Sequence, residues 1–226
     1  MGKTKRSPRK PKTEGLVALL TPLQALQNLL EKFNNRGVLI GGIAASLLGT
    51  PRLTVDLDAV FLLSLEEVPG LLLEASGLGI EPRILGIIEF ARKNRVLLLR
   101  HTDSGTDIDL SLGILPFEIE MVERSQVVDL GSIQLRLPTP EDLIIMKAVA
   151  HRPKDLEDIR AVAASHPEID KDRIQSWVMQ FGEALDLPDL WKDIQGLLSG
   201  LFPYSSFTRP LTTFTSFSKS WKAKRW

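Results

Sequence analysis

The chain has 226 residues and no cysteine. Disulfides and thiolate-held metals are therefore excluded, a composition that suits a reducing compartment. Long apolar runs are also missing. The stretch Gly15–Leu20 follows a basic N-terminus, but it is too short to span a bilayer and has no cleavage site. The expectation is a cytoplasmic protein with no membrane partner. Histidine is scarce, with three in the chain. His101 and His166 stand without metal-ligand partners at useful spacing, and no Ser/His/Asp arrangement is visible. Ser104 and Ser111 lie near acids, yet nothing marks either as a nucleophile.

Acid is absent from both ends. Residues 1–12 carry Lys3, Lys5, Arg6, Arg9, Lys10 and Lys12, and residues 209–226 carry Arg209, Lys219, Lys222, Lys224 and Arg225. The formal net charge of zero hides this: without those eleven basic residues, 17 remain against 28 acids. The body is acidic and each end is basic. Basic tails attract polyanions by counterion release, and as plain solvated segments they also aid solubility. The Phe, Trp and basic residues after position 201 suit stacking on single-stranded nucleic acid or simple disorder. Residues 1–15 and 201–226 are expected to be disordered tails.

What is present between the tails is patterned. The expected class is α+β: a small mixed sheet with flanking helices over residues 16–138, then a helical part over 139–200 packed on it. Thr21 reads as the N-cap of a first helix, with Pro22 at its first position and Leu23, Leu26, Leu29 and Leu30 as its apolar stripe. Residues 65–75 read as one helix and residues 81–85 as a short strand. Arg95–Arg100 and Asp107–Leu112 form a hairpin around a Gly105 turn. A second hairpin surrounds Gly131-Ser132. Thr139-Pro140-Glu141-Asp142 is a helix start, with a capping hydroxyl, a helical proline and first-turn acids. Pro153 opens the next helix, and two more helical patterns follow.

The rest is organised around Gly37–Leu63. Val38 to Ile40 is a short strand that stops at Gly41-Gly42, and a small apolar helix follows. Residues 54–61 then alternate, so that Asp56 and Asp58 share one face of a strand. Two adjacent carboxylates repel and are costly to desolvate; a divalent cation removes both problems, and so does a solvated strand end. Asp107 and Asp109 repeat the spacing on a second strand. If that strand lies beside the first, a third carboxylate reaches the same cations. Such a set can hold two Mg²⁺ ions and clamp both oxygens of an in-line phosphoryl displacement. Gly41-Gly42 opens a helix, where exposed N–H groups bind phosphate closely. Lys147 and His151 lie four apart on one helix, and Asp155 and Asp158 three apart on the next. Lys147 sits among apolar neighbours, so it suits a phosphate contact as well as the polar edge of an amphipathic helix. Asp155 and Asp158 suit orienting Lys147 or Arg152, contacting ribose, or a surface salt bridge. Arg52 suits phosphate steering or a solvated loop.

Gly41-Gly42, thirteen residues, then Asp56-Leu57-Asp58, with a later strand aspartate, resembles the nucleotidyltransferase superfamily of DNA polymerase β-like fold. The closer likeness is to the AbiEii/AbiGii-toxin-type, or minimal, nucleotidyltransferases of toxin–antitoxin systems. It is carried by GGIAASLLGTPRLTVDLDAVFLL, TDIDLSLGILPFE and PTPEDLIIMKAVAHRPKDLEDI, over about Val38 to Ala164. The resemblance implies that Asp56, Asp58 and Asp109 are catalytic and hold Mg²⁺, with Asp107 the extra acid. It implies that Gly41 and Gly42 hold the triphosphate, that Lys147 contacts the nucleotide, and that Asp155 is the acid after that lysine. Arg52 joins the nucleotide-binding set. The implied partners are an NTP donor, an RNA or protein acceptor and an antitoxin protein. The family commonly carries Gly-Ser where this chain has Gly41-Gly42. Two other readings stay open: a non-catalytic module that keeps the fold, and a glycosyltransferase using Asp56-Leu57-Asp58 as a nucleotide-sugar clamp.

Overall fold

The computed structural model describes residues 19–199, and both expected tails lie outside the described residues. The chain begins with α1 (Leu20–Lys32), β1 (Gly37–Ile40), α2 (Gly41–Leu48) and β2 (Asp56–Phe61). A 3₁₀ turn (Leu65–Glu67) leads into α3 (Val68–Ser76), followed by β3 (Ile80–Pro82), α4 (Ile87–Asn94), β4 (Val96–His101) and β5 (Asp107–Leu112). Then come α5 (Pro116–Arg124), β6 (Gln126–Asp129), β7 (Gln134–Leu137), α6 (Pro140–Ala150), α7 (Pro153–Ser165), α8 (Lys171–Ala184) and α9 (Leu190–Leu198).

Five strands form the main sheet, in the order β1-β2-β5-β4-β3. Only β2 and β5 run parallel; the other neighbours are antiparallel. The sheet is thus mixed and helix-flanked, an α+β fold as expected. The β4–β5 hairpin forms where the alternation placed it, and β6 and β7 pair as the second hairpin.

Two helix starts differ from expectation. α1 begins at Leu20 rather than Pro22, and Thr21 does not cap it. Leu19 is buried and its carbonyl accepts from Leu23 N at 2.9 Å, so apolar burial draws the chain into the helix early. The helix expected over 65–75 is divided. In a helix starting at Leu65, the Pro69 ring would meet the Leu65 carbonyl; at the start of α3 it costs nothing. The Thr139 start holds: its side chain accepts from Asp142 N at 3.3 Å.

One apolar cluster runs from Leu23 and Leu26 of α1, through Val38, Leu57, Ile108 and Leu110 of the sheet, to Ile145, Ile159, Ile174 and Ile194 of the last four helices. The C-terminal helices are therefore continuous with the core of the sheet. α7 lies close on α2: a Cβ on Gly49 would stand 3.1 Å from Val162 N, and the His166 ring nitrogen Nε2 meets Leu48 O at 2.8 Å. On the other side, Phe117 of α5 meets Trp177 and Phe181 of α8 edge-on, with centroids 5.3 and 5.5 Å apart. Phe117 is fully buried. Phe117→Ala should lower unfolding free energy by about 3–5 kcal/mol in urea titration. A loss under about 1 kcal/mol would mean that α8 is not held through this ring.

Candidate active site

The register of the sheet assembles the acidic residues. β2 and β5 pair with Asp56 opposite Asp107 and Asp58 opposite Asp109. β1 pairs with β2 so that its last residue, Ile40, stands opposite Asp58. The turn that follows Ile40 therefore falls on Asp58. Gly41 has φ +65°, and a Cβ there would stand 1.9 Å from Asp58 Oδ2. A Cβ on Gly42 would stand 2.5 Å from Thr54 Oγ1 and 3.6 Å from the Arg52 guanidinium. The diglycine corner is needed because backbone, carboxylate, hydroxyl and guanidinium meet there.

The four acids do not share one environment. Asp56 is exposed at the strand start, and its Oδ1 accepts from Thr54 Oγ1 at 3.1 Å. Asp58 is 5 % exposed. A solvated strand end thus describes Asp56 but not Asp58. Burial, then the charges of Asp56 and Asp109, push the Asp58 carboxyl up to about 7, and Lys147 and Lys154 pull against this without offsetting it. Asp107 is held by two guanidinium groups: Arg100 Nε donates at 2.7 Å and Arg83 at 2.6 Å. The Arg100 hydrogen bond, aided by Arg83, keeps Asp107 below the usual carboxylate range against the effect of burial. Asp109 is half-buried and accepts from the other arm of Arg83. Burial raises its pKa, with Arg83 opposing and Asp56 and Asp107 adding to the rise.

Arg83 has no sequence motif. It follows β3, whose Pro82 pairs with Leu99, and its own N–H donates to Leu98 O at 3.0 Å. Leu98 pairs with Asp109. Arg83 therefore stands two strands from Asp109, with β4 between them, and reaches back to it over the acidic face. Only strand-by-strand registration could have found it.

A second network lies between α2, α6 and α7. Lys147 is 4 % exposed, which removes the surface-lysine reading. Its ammonium meets Asp155 at 3.0 Å and Asp158 at 2.9 Å. Asp158 also accepts two hydrogen bonds from Arg52, at 3.0 and 3.1 Å, so Arg52 is anchored although it stays partly in solvent. Asp155 is fully buried, caps the start of α7 by accepting from Arg152 N at 3.2 Å, and pairs with the Arg152 side chain. Burial alone would raise the Asp155 pKa; the Arg152 hydrogen bond and Lys147 outweigh it and hold it low. Asp155 and Asp158 thus both orient Lys147. His151 of the Lys147–His151 pair turns elsewhere, toward Asp193 at 3.5 Å.

The structure brings Gly41, Gly42, Arg52, Asp56 and Asp58 together at one corner. Lys147 and Asp155 join it through Asp158, and Asp109 joins through the β2–β5 pair. Among the described residues, no three His, Cys, Asp or Glu side chains are gathered as a ready-made cation cage. The donor set still suits a hard divalent ion: carboxylate oxygens from adjoining strands, one of them raised in pKa by burial and then by its carboxylate neighbours.

A mixed sheet with acids on neighbouring parallel strands, facing a glycine corner that opens a helix, is a nucleotidyltransferase-like fold. The chain belongs to the family described as nucleotidyltransferase of unknown function (DUF6036), whose profile matches residues 15–185. It is also similar to a solved structure described as an antigenic nucleotidyltransferase-like protein from Paracoccidioides brasiliensis. That likeness has a TM-score of 0.50 at 18 % identity, covering 79 % of this chain and 93 % of the other, and it speaks for the fold alone. No curated protein matches the chain.

Two tests follow from the electrostatics. The Asp58 carboxyl titrates near 3.8 when unfolded and near 7 when folded. The native state therefore binds the extra proton, and stability falls as pH rises from about 4 to about 7. Asp58→Asn removes this loss. In chelator, its Tm advantage over wild type should be larger at pH 8 than at pH 5; an equal difference at both would contradict the burial. Lys147→Met leaves two buried aspartates short of a cation and should cost about 3–5 kcal/mol in denaturant titration. A near-neutral result would show that Arg52 and Arg152 neutralise the pair alone.

Proposed function

We propose that this protein is a Mg²⁺-dependent nucleotidyltransferase that moves a nucleoside monophosphate from an NTP to a hydroxyl group. The single observation that carries this is the pairing of Asp58 with Asp109 under the Gly41-Gly42 corner. Asp56, Asp58 and Asp109 would hold the metal. When bound, two Mg²⁺ ions polarise the α-phosphoryl group and steady the attacking and leaving oxygens.

The chain's own residues do the rest. The first N–H groups of α2 have no intrahelical partners, and the missing side chains of Gly41 and Gly42 let a triphosphate come close to them. Arg52 faces the same corner with its guanidinium anchored on Asp158. Lys147 has three ammonium donors, two of which meet Asp155 and Asp158. Its role is a fixed positive charge beside Asp58 with one donor for the nucleotide. Asp109 accepts the proton of the acceptor hydroxyl. The acceptor oxygen bonds to the α-phosphorus, the bond from that phosphorus to the bridging oxygen breaks, and pyrophosphate leaves with the electron pair.

The likeness to AbiEii-type nucleotidyltransferases extends the proposal to a toxin of a toxin–antitoxin or phage-defence system, countered by an antitoxin protein. The acceptor is then a tRNA 3′ end or a protein hydroxyl. The described residues are rich in acid, so an RNA acceptor would depend on the basic tails. One observation favours a second reading, a nucleotide- or protein-binding module without turnover: Arg83 already occupies Asp109.

Incubation with each labelled NTP, Mg²⁺, total RNA and cell lysate should transfer label to one acceptor class. Asp56→Ala and Asp109→Asn should lower transfer at least about a hundredfold, as for loss of charge-stabilising groups in a reaction. No transfer from any NTP, with Asp56→Ala indistinguishable from wild type, would overturn the enzymatic reading. Calorimetric NTP binding under those same conditions would establish the binding module.

A further inference from the structure

We propose that Arg83 is a latch on the third carboxylate: it holds Asp109 when no divalent ion is bound, and yields Asp109 while staying on Asp107 when one arrives. This inference rests on the metal-dependent reading above and adds to it a residue that sets how tightly the metal is held.

The geometry carries it. The Arg83 guanidinium spans two carboxylates of one strand, with one arm on Asp107 at 2.6 Å and the other on Asp109. Asp109 is the register partner of Asp58, so the second arm sits next to the proposed metal ligands. A fixed positive charge there competes with a dication for the same oxygens, and the competition is strong at partly buried separations of a few ångströms. Arg83 is only 23 % exposed, so water offsets it incompletely.

Asp107 is what makes release feasible. A buried guanidinium that lost its sole carboxylate would be left unpaired, at high cost. Arg83 keeps Asp107, and Asp107 is itself held from the far side by Arg100 at 2.7 Å. The guanidinium therefore needs only a small rotation to exchange a two-carboxylate bridge for a one-carboxylate pair. Asp107, the extra acid of β5 in the metal-dependent reading, thereby has a function as the resting place of the latch.

The test is direct metal binding rather than turnover. The full chain is titrated with Mn²⁺ by electron paramagnetic resonance, with thermal melts confirming that each variant is folded. Arg83→Gln should bind Mn²⁺ at least about fivefold more tightly than wild type, since removal of an opposing charge is worth on the order of 1 kcal/mol or more. Arg83→Lys, which keeps the charge but cannot bridge two carboxylates, should fall between them and serves if the glutamine variant does not fold. Adding Asp58→Asn should abolish the tightened binding in either variant. Unchanged or weaker binding in folded Arg83 variants, with Asp58-dependent binding in wild type, would overturn the latch and leave the proposed activity standing. Absence of Asp58-dependent Mn²⁺ binding in wild type and in both variants would overturn both. Binding seen only once Arg83 is replaced would establish the latch in its strongest form.

Discussion

Parallel pairing of β2 with β5 governs the candidate site, because it sets Asp58 and Asp109 side by side on one face. A one-residue slip of this register would turn one pair of acids to the apolar side of the sheet. The pairing is itself held from both flanks. β1 adds to β2 and delivers the diglycine corner onto Asp58, while β4 and β3 add to β5 and deliver Arg83 onto Asp109. The carboxylates thus lie between a backbone corner on one side and a guanidinium on the other.

Clustered acids are tolerated at this depth because cations are set between them: Lys147 between Asp155 and Asp158, and Arg83 between Asp107 and Asp109. On α7, Asp155 and Asp158 share Lys147, and each has an arginine of its own, Arg152 for Asp155 and Arg52 for Asp158. The lysine and both aspartates of that network are buried, and each carboxylate has cationic partners, whereas the two arginines reach it from partly exposed positions. Asp58 is different: it is buried, with neighbouring charge of its own sign dominating, which is why its proton is held up to neutral pH. Paired carboxylates and one carboxyl with a raised pKa therefore occur close together, with Lys147 acting on both. The contrast between them, rather than the number of acids, marks the site.

Much of the site was legible locally. Period-two placement of Asp56 with Asp58, and of Asp107 with Asp109, required only strand alternation. Gly41-Gly42 announced a turn, and Thr139-Pro140 a helix start that the Asp142 N–H bond to Thr139 bears out. Lys147 among apolar neighbours implied an unusual lysine, and it is buried between two aspartates. Where local reasoning slipped, burial overrode it: Leu19 extended α1 past its expected cap, and Pro69 divided a helix whose apolar pattern looked continuous. The split between Asp107 and Asp109 followed from the resemblance and not from the residues, since alternation treats them alike.

The amino-acid sequence alone determined the elements, their apolar faces and the inventory of acids, because helix and strand periodicity, glycine turns and caps act over a few residues. Tertiary structure decided which acid is dry and which is wet, which aspartate of β5 faces the neighbouring strand's buried carboxylate unencumbered by a second arginine, and that Arg83 and Arg52 are tied down at all. Those outcomes join residues 26 and 106 positions apart in the chain. Desolvation and charge pairing depend on what surrounds an atom in space, and spacing along the chain carries no record of it.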